Sequence, residues 1–507
     1  EGRGTAKEKG GRPTVDVIGT GIRHLTTSNV LDLLIAFVFY VVTARILGSS
    51  GMGRVALMLL LISLYATVSQ PILGSVAARF VSYHLGRGER EEAVASLLTS
   101  LKILAAVSAV TFPAFMAASP LISRMTGLGL GLVVAGIAVG FVQTFRNLLG
   151  GALYGFSMYG EAALQGVLNY ALSRIPAMAL AVLMGPSGVV VAWGIGSIAG
   201  LIYPAYLLRD ALRPREMDAA AYTARRILRY GMPLYALSLV GFLQGWLGIS
   251  LLYAITGSHS AVGMYYVASA STGILGALYS PLTSVLLPSM SFRFGEEGGA
   301  AIRGMTRGVE GLVIYVVMTS SLSASVAARP ILELFYGAQY AAYAPEFSIL
   351  AATTVISALG GIYGTGLQSM GRTDLQLVIG ASSSAALLGA LVALAPRLGA
   401  LGVALSSAIS SIAGFVLSLH LIRRHAGHMP SIPRTKIAFS FLVALAVLGA
   451  QLLTGKAGLL ENALADALAF AASIIALSRI MRPLEDGERE ALAAVLPGAL
   501  KGLVNLL

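Results

Sequence analysis

Apolar stretches of about 20 residues, the length that crosses a hydrocarbon core, recur from one end of the 507-residue chain to the other. In lipid the backbone must satisfy its own hydrogen bonds, which leaves only helices or closed barrels. These runs are too long and too uniformly apolar for barrel strands of about ten alternating residues. The chain therefore reads as an all-α polytopic membrane protein. Charge agrees: Asp, Glu, Lys and Arg make up 11% of the residues, against about 25% in a soluble domain. The 59 glycines, spread with Ala and Ser through the spans, suit close helix packing in lipid.

About fourteen spans are expected, near 25–46, 54–78, 94–118, 127–147, 161–184, 188–208, 227–256, 260–290, 306–328, 346–368, 375–395, 400–422, 436–454 and 460–480. Strict alternation puts 28 of the 35 Lys and Arg on the side of the N-terminus and 6 on the other, with Arg174 inside span five. Basic loops stay in the cytoplasm, so a multi-pass protein of the plasma membrane is expected, with both termini cytoplasmic. The net charge of +12 is thus an orientation signal, and no nucleic-acid partner is implied.

The chain also repeats itself. Pro71 matches Pro281, Pro120 matches Pro330 and Gly127 matches Gly337, each 210 residues on. Gly150-Gly151 matches Gly360-Gly361 at the same offset, and Gly160 and Leu164-Gln165 match Gly371 and Leu375-Gln376 at 211. Ser197-Ile198-Ala199-Gly200 returns unchanged as Ser411 to Gly414, at 214. Six spans is an even number, so both halves enter the membrane in the same sense. That is the parallel repeat of two-lobed transporters. The expected organisation is a basic leader over 1–24, an N-lobe with its loop over 25–226, and a C-lobe over 227–435. Two extra helices follow over 436–480, then a cytoplasmic tail over 481–507.

Charge inside a span is costly, about 2.5–3.5 kcal/mol on insertion scales, and so marks candidate function. Asp32 lies in span one and Arg174 near the middle of span five. One reading makes Arg174 an anchor for an anionic substrate and Asp32 an ion-coupling carboxylate; the other makes them a buried ion pair. Gln165, Asn169 and Ser173 recur at i, i+4 and i+8 with Tyr170 beside them, a polar arc suited to a watery cavity or to interhelical hydrogen bonds. Arg45, Arg79 and Arg146 sit near expected span ends, where snorkelling is the ordinary explanation.

Enzyme signatures are scarce. The chain has no Cys, which excludes disulfides, thiol catalysis and thiolate metal sites. It has no G-x-x-x-x-G-K-[ST] phosphate loop and no H-E-x-x-H. His425 and His428 share a basic loop without other metal ligands. No cofactor, no metal site and no enzymatic activity are expected.

Ala44-Arg45-Ile46-Leu47-Gly48 followed by Gly51-Met52-Gly53 resembles the pattern after the first helix of polysaccharide flippases. Ala78-Arg79-Phe80 with Gly86-Arg87-Gly88-Glu89 is similar to their first cytoplasmic loop. Gly337 to Tyr343 with Pro345, and Gln368-Ser369-Met370-Gly371-Arg372, look like second-half counterparts. These residues resemble the polysaccharide-transporter branch of the multidrug/oligosaccharidyl-lipid/polysaccharide exporter superfamily, over about residues 20–425.

The resemblance implies two six-helix lobes, often with two added helices. It implies flipping of a polyprenyl-(pyro)phosphate-linked oligosaccharide from the cytoplasmic to the outer leaflet by alternating access. Arg45 and Arg79 match recurrent family arginines, and Arg146 and Arg372 match the loop after the fourth helix of each lobe. Arg174, Arg45, Arg79, Arg146, Asn169, Gln165 and Tyr170 are the expected substrate-binding set. Asp32 resembles the first-helix acid of cation-coupled drug exporters, so a multidrug or cation antiporter of the same superfamily is the alternative. A membrane glycosyltransferase or ligase is a third reading, disfavoured by short outer loops. The expected partners are the lipid-linked saccharide, the bilayer and glycan-assembly enzymes, and the chain is expected to act as a monomer.

Overall fold

The computed structural model describes residues 15–70, 73–212, 224–277, 286–287, 289–291, 293–294, 298–427, 433–454, 458–484 and 488–489. Among these every regular element is a helix. In the first half they are α1 (Val15–Ser69), α2 (Leu73–Gly86), α3 (Arg90–Thr126), α4 (Leu130–Gly155), α5 (Tyr159–Met184), α6 (Pro186–Leu207) and the short α7 (Arg209–Leu212). Then come α8 (Ala224–Thr256), α9 (His259–Ala277) and α10 (Gly299–Val313), which runs through a π-helical turn (Ile314–Met318) into α11 (Thr319–Val326). The chain closes with α12 (Ala328–Tyr336), a 3₁₀ segment (Ala338–Tyr343), α13 (Ala344–Ser369), α14 (Thr373–Leu398), α15 (Ala400–Ala426), α16 (Arg434–Thr454) and α17 (Leu459–Met481).

Twelve stretches of these helices are long and apolar enough to cross a membrane. The first, Leu31–Ser69, has 39 residues, or about 58 Å at the helical rise. That is roughly twice a hydrocarbon core, and the stretch is broken at Gly48, whose backbone is left-handed (φ 64°). It therefore holds most of the first two expected spans. The 19-residue α9 stands where the eighth was expected. The second expected span, 54–78, is interrupted: α1 ends at Ser69 and α2 begins at Leu73.

The helices divide into two compact units. Unit 1 comprises residues through Phe39 together with Leu57–Phe242; unit 2 comprises Tyr40–Ala56 together with Leu243–Leu507. The bend of α1, residues 40–56, thus belongs to unit 2. Within unit 1, Leu73, Val76, Ala77, Leu97, Leu104, Leu148, Ala152 and Leu153 form a buried core joining α2, α3 and α4. Two glycines let the backbones of α2 and α4 cross in contact. A Cβ on Gly151 would lie 2.1 Å from the carbonyl oxygen of Gly74, and one on Gly74 would lie 2.7 Å from that of Asn147. This is the small-residue packing that substitutes for a hydrophobic driving force in lipid.

In unit 2, one core joins α10, α13 and α15 through Ile302, Val355, Ala358, Ile362, Leu367 and Ile422. A second joins α16 to the π turn through Phe439, Val443 and Tyr315. The bend of α1 is seated by polar contacts from α9, α12 and the 3₁₀ segment. Arg45 donates Nε to the carbonyl of Phe335 at 2.8 Å and a terminal nitrogen to that of Leu334. Those carbonyls belong to the last turn of α12, where no intrahelical donor remains. Gln339 accepts from the Ser49 amide at 3.3 Å, and Tyr340 donates to the Ala44 carbonyl at 3.3 Å.

The repeat is visible in the turns. Left-handed backbone at Gly48, Gly88, Gly127, Ser157 and Gly185 recurs at Gly257, Gly298, Gly337, Gly371 and Gly399. The offset is 209–210 up to Gly337 and 214 beyond it. The four extra residues lie in Ala338–Tyr343, so the insertion is the segment carrying Gln339 and Tyr340. From there the helices match in length: α4 and α13 both have 26 residues, as do α5 and α14. Ser157 and Met158 bond back to Tyr154 and Leu153 just as Gly371 and Arg372 bond back to Gln368 and Leu367.

Three sequence pairings therefore need correction. Gly150 corresponds to Gly364, not Gly360, and Gly371 corresponds to Ser157, not Gly160; Gln165 corresponds to Ile379, and Gln376 lies one turn earlier. Both shifts are close to a helical turn, which preserves the face and so escapes letter matching. Pro71 and Pro281 lie outside the described residues.

Candidate functional site

Unit 1 contains a cavity of about 760 Å³. Its walls come from the end of α1, α2, α4, α5 and α8: Gln70, Arg146, Asn147, Gln165, Asn169 and Tyr170 supply most of the polar surface. Arg146 is its cation. The guanidinium donates Nε and Nη2 to Asn147 Oδ1 at 3.2 and 2.8 Å and Nη1 to Asn169 Oδ1. Asn147 in turn donates to Gln70 Oε1 at 3.3 Å. Gln165, which is buried, donates to the carbonyls of Gly200 at 2.8 Å and Arg146 at 3.2 Å.

Among the described residues no carboxylate pairs with Arg146; its acceptors are neutral amides. Room for its stem is made by Gly200, where a Cβ would lie 2.9 Å from Arg146 Cδ and 3.2 Å from Asn169 Cβ. The helix α4 continues to Gly155, so Arg146 lies more than two turns inside it. The expectation of a loop or span-end position for Arg146 is thereby corrected. The signal was present: Leu148, Leu149, Ala152 and Leu153 continue the apolar helix past Arg146-Asn147 and are buried.

The other sequence candidates fall in four places. Gln165, Asn169 and Tyr170 line the cavity with Arg146. Arg174 and Asp32 form an ion pair through Nη1 and Oδ1, their side chains 16% and 25% exposed. The Arg174 guanidinium also lies against the Tyr170 ring, 5.0 Å from its centroid. Tyr170 therefore faces the cavity while being held by the pair. Arg79 is exposed midway along α2, its guanidinium 3.9 Å from the centre of the Tyr230 ring. Arg45 is in unit 2, on the carbonyls of α12.

His84 in the last turn of α2 and Arg87 just after it both reach Glu89, each at 2.6 Å. The hydrogen bond from His84 and then that from Arg87 hold the Glu89 carboxyl below its ordinary range. Gln70, Asn147, Tyr154 and Ser238 line the cavity without having been singled out in the sequence. His425 bonds the carbonyl of Leu421, and His428 lies outside the described residues. No group of three His, Cys, Asp or Glu that could hold a metal ion occurs among the described residues.

The corrected repeat shows how one-sided this site is. At the offset of 214, Arg146 corresponds to Gly360, Asn147 to Gly361, Asn169 to Ser383 and Arg174 to Leu388. At 209, Asp32 corresponds to Gly241. Gly414, the counterpart of Gly200, meets Ser383 instead of an asparagine. The cation, its amide partners and the ion pair therefore belong to the first repeat alone.

A repeated helical membrane architecture with an intramembrane polar cavity defines a transporter-like fold. The chain belongs to the polysaccharide biosynthesis protein family, whose model matches residues 18–292. Among curated proteins no sequence matches the chain. Among solved structures it is similar to a lipid II flippase, MurJ, in an inward closed conformation. The TM-score is 0.71 at 13% identity, over 90% of this chain and 99% of that one. It is also similar to a multidrug resistance MATE family transporter of the MOP superfamily facing inward (TM-score 0.63, 15% identity, 78% and 94% covered). A MOP superfamily transporter from Pyrococcus furiosus, described by a reversed polarity of its binding pocket, matches at TM-score 0.58 and 16% identity, over 80% and 95%. At these identities the likeness is one of fold.

Proposed function

We propose that this protein moves a polyprenyl-(pyro)phosphate-linked oligosaccharide from the cytoplasmic to the outer leaflet by alternating access, without itself catalysing a covalent step. The observation that carries the reading is the polarity of the unit 1 cavity. Its one guanidinium is held by neutral amide oxygens, so its positive charge is left for an anion to neutralise. The amides and tyrosines around it supply the donors and acceptors that sugar hydroxyls use.

A cation antiporter would need a carboxylate open to the cavity. Asp32, the acidic residue the alternative relies on, is bonded to Arg174. The membership of a polysaccharide biosynthesis family points the same way, as does the likeness to a lipid II flippase.

In liposomes containing the purified protein, a fluorescent polyprenyl-diphosphate-linked saccharide is expected to cross from one leaflet to the other at least tenfold faster than in empty vesicles. A lipophilic cationic dye is expected to cross no faster. Transport of the dye without the glycolipid would overturn the assignment in favour of the antiporter.

We infer the orientation from the loops of Lys and Arg, which favour cytoplasmic termini. A cysteine replacing Ser258 should react with an impermeant thiol reagent added to intact cells, and one replacing Ser431 should not. Labelling at 431 would reverse the topology.

A further inference from the structure

We propose that Asp466 anchors a monovalent-cation site in unit 2, taking a proton or a sodium ion, separate from the polar cavity of unit 1. Asp466 lies seven residues into α17, about 10 Å along the helix from its start, and is only 6% exposed. Its Oδ2 accepts from Gln451 Nε2 at 3.0 Å. That amide spends its other hydrogen on the carbonyl of Val326, at 3.2 Å, where α11 ends. The carboxylate therefore has one neutral donor, already shared. Asp466 Oδ1 is buried and has no hydrogen-bond partner.

The surroundings supply oxygen but no charge. Asp466 lines a cavity of about 440 Å³ whose other walls are mostly apolar, contributed by α9, α11, α12, α16 and α17. Its lining hydroxyls are Ser320 and Ser323. Ser323 Oγ is also buried without a partner. Ser320 gives its proton to the Val316 carbonyl at 2.8 Å, which leaves its lone pairs free to accept. Besides Asp466, the charged or titratable groups on the enclosing helices are His259, Tyr265 and Tyr266 on α9, Arg329, Glu333 and Tyr336 on α12, Arg434 and Lys436 on α16, and Glu461 and Arg479 on α17. None of these lines the cavity.

A lone carboxylate in such a setting is costly to hold unless a positive charge compensates it. One carboxylate compensates a single charge, which selects a monovalent cation. Serine hydroxyls are the oxygen donors a sodium ion takes, while a proton needs only Oδ1, with a serine oxygen to receive its hydrogen bond. Coupling of this cation to transport would rest on the proposed function; its binding does not.

The test reads binding alone, on the purified full-length protein in detergent. A ligand of the folded state raises the melting temperature. Sodium chloride replacing choline chloride at constant ionic strength and pH 8 should raise it by several degrees and saturate, if sodium is the ligand. If the proton is, the rise should instead follow falling pH in choline. Asp466→Asn should lose that response, and Asp32→Asn should keep it. Should Asp466→Asn fail to fold, Asp466→Glu moves the carboxylate by one methylene and should shift the midpoint of the response at least tenfold in cation concentration. A wild-type protein indifferent to both cations, an Asn variant that responds like wild type, or a Glu variant with an unmoved midpoint would each overturn the site.

Discussion

Arg174→Ala is expected to cost the protein about 3–5 kcal/mol of stability, the range for removing one partner of a buried ion pair, and Asp32→Asn in the same chain is expected to return much of that loss. Both side chains lie within helices long and apolar enough to cross a membrane and are mostly covered. Losing the guanidinium strands a mostly covered carboxylate. Losing both charges leaves an amide, which is much cheaper to bury. Arg174 also presses on Tyr170, so the single variant should loosen one wall of the polar cavity. Melting temperatures of wild type, both single variants and the double variant form a cycle whose coupling should exceed about 1 kcal/mol. If the double variant melts as low as Arg174→Ala, the two residues do not support one another. Transport per folded molecule should fall to a similar extent in Arg174→Ala and in the double variant, because both remove the guanidinium that holds Tyr170 in place.

The architecture was legible in the sequence because lipid leaves so few options. Apolar length alone selects helices, and alternation of basic loops orders them. The repeat was legible as well, since turns that need left-handed backbone keep a glycine at Gly127 and Gly337 or at Gly185 and Gly399. Its register was not. A shift of three or four residues keeps a helix face, so Gly150-Gly151 matched Gly360-Gly361 in letters while the helices align Gly150 with Gly364. The same ambiguity hid Arg146: an arginine followed by asparagine looks like a span end, although eight more residues of helix follow. Arg45 illustrates the opposite limit. Its position in a family-like motif suggested substrate, but nothing local announces that two carbonyls of α12, some 290 residues away, would need its donors. Asp466 and Gln451 carry no such local signal, since an acid near the end of a span reads as interfacial until packing covers it.

Arg146→Ala should reduce glycolipid translocation by about 10- to 150-fold, the effect of losing a charged hydrogen bond worth about 1.5–3 kcal/mol, with little change in melting temperature. The two halves of that expectation come from the same geometry. The groups left behind are Asn147, Asn169 and Gln70, which are neutral and line a cavity roomy enough for water. No charge is stranded, in contrast to Asp32 without Arg174. What disappears is the guanidinium positioned for an anion. Arg146→Lys should keep part of the rate, because a point charge remains while the planar fork that grips two phosphate oxygens does not. Placing arginine at the repeat-equivalent Gly360 should not rescue the alanine variant, since Ser383 there replaces Asn169 and offers no amide to orient it. If Arg146→Ala instead lowers the melting temperature by several degrees while each folded molecule transports at the parental rate, the residue is a structural bracket between α4 and α5, and the anion must be recognised elsewhere.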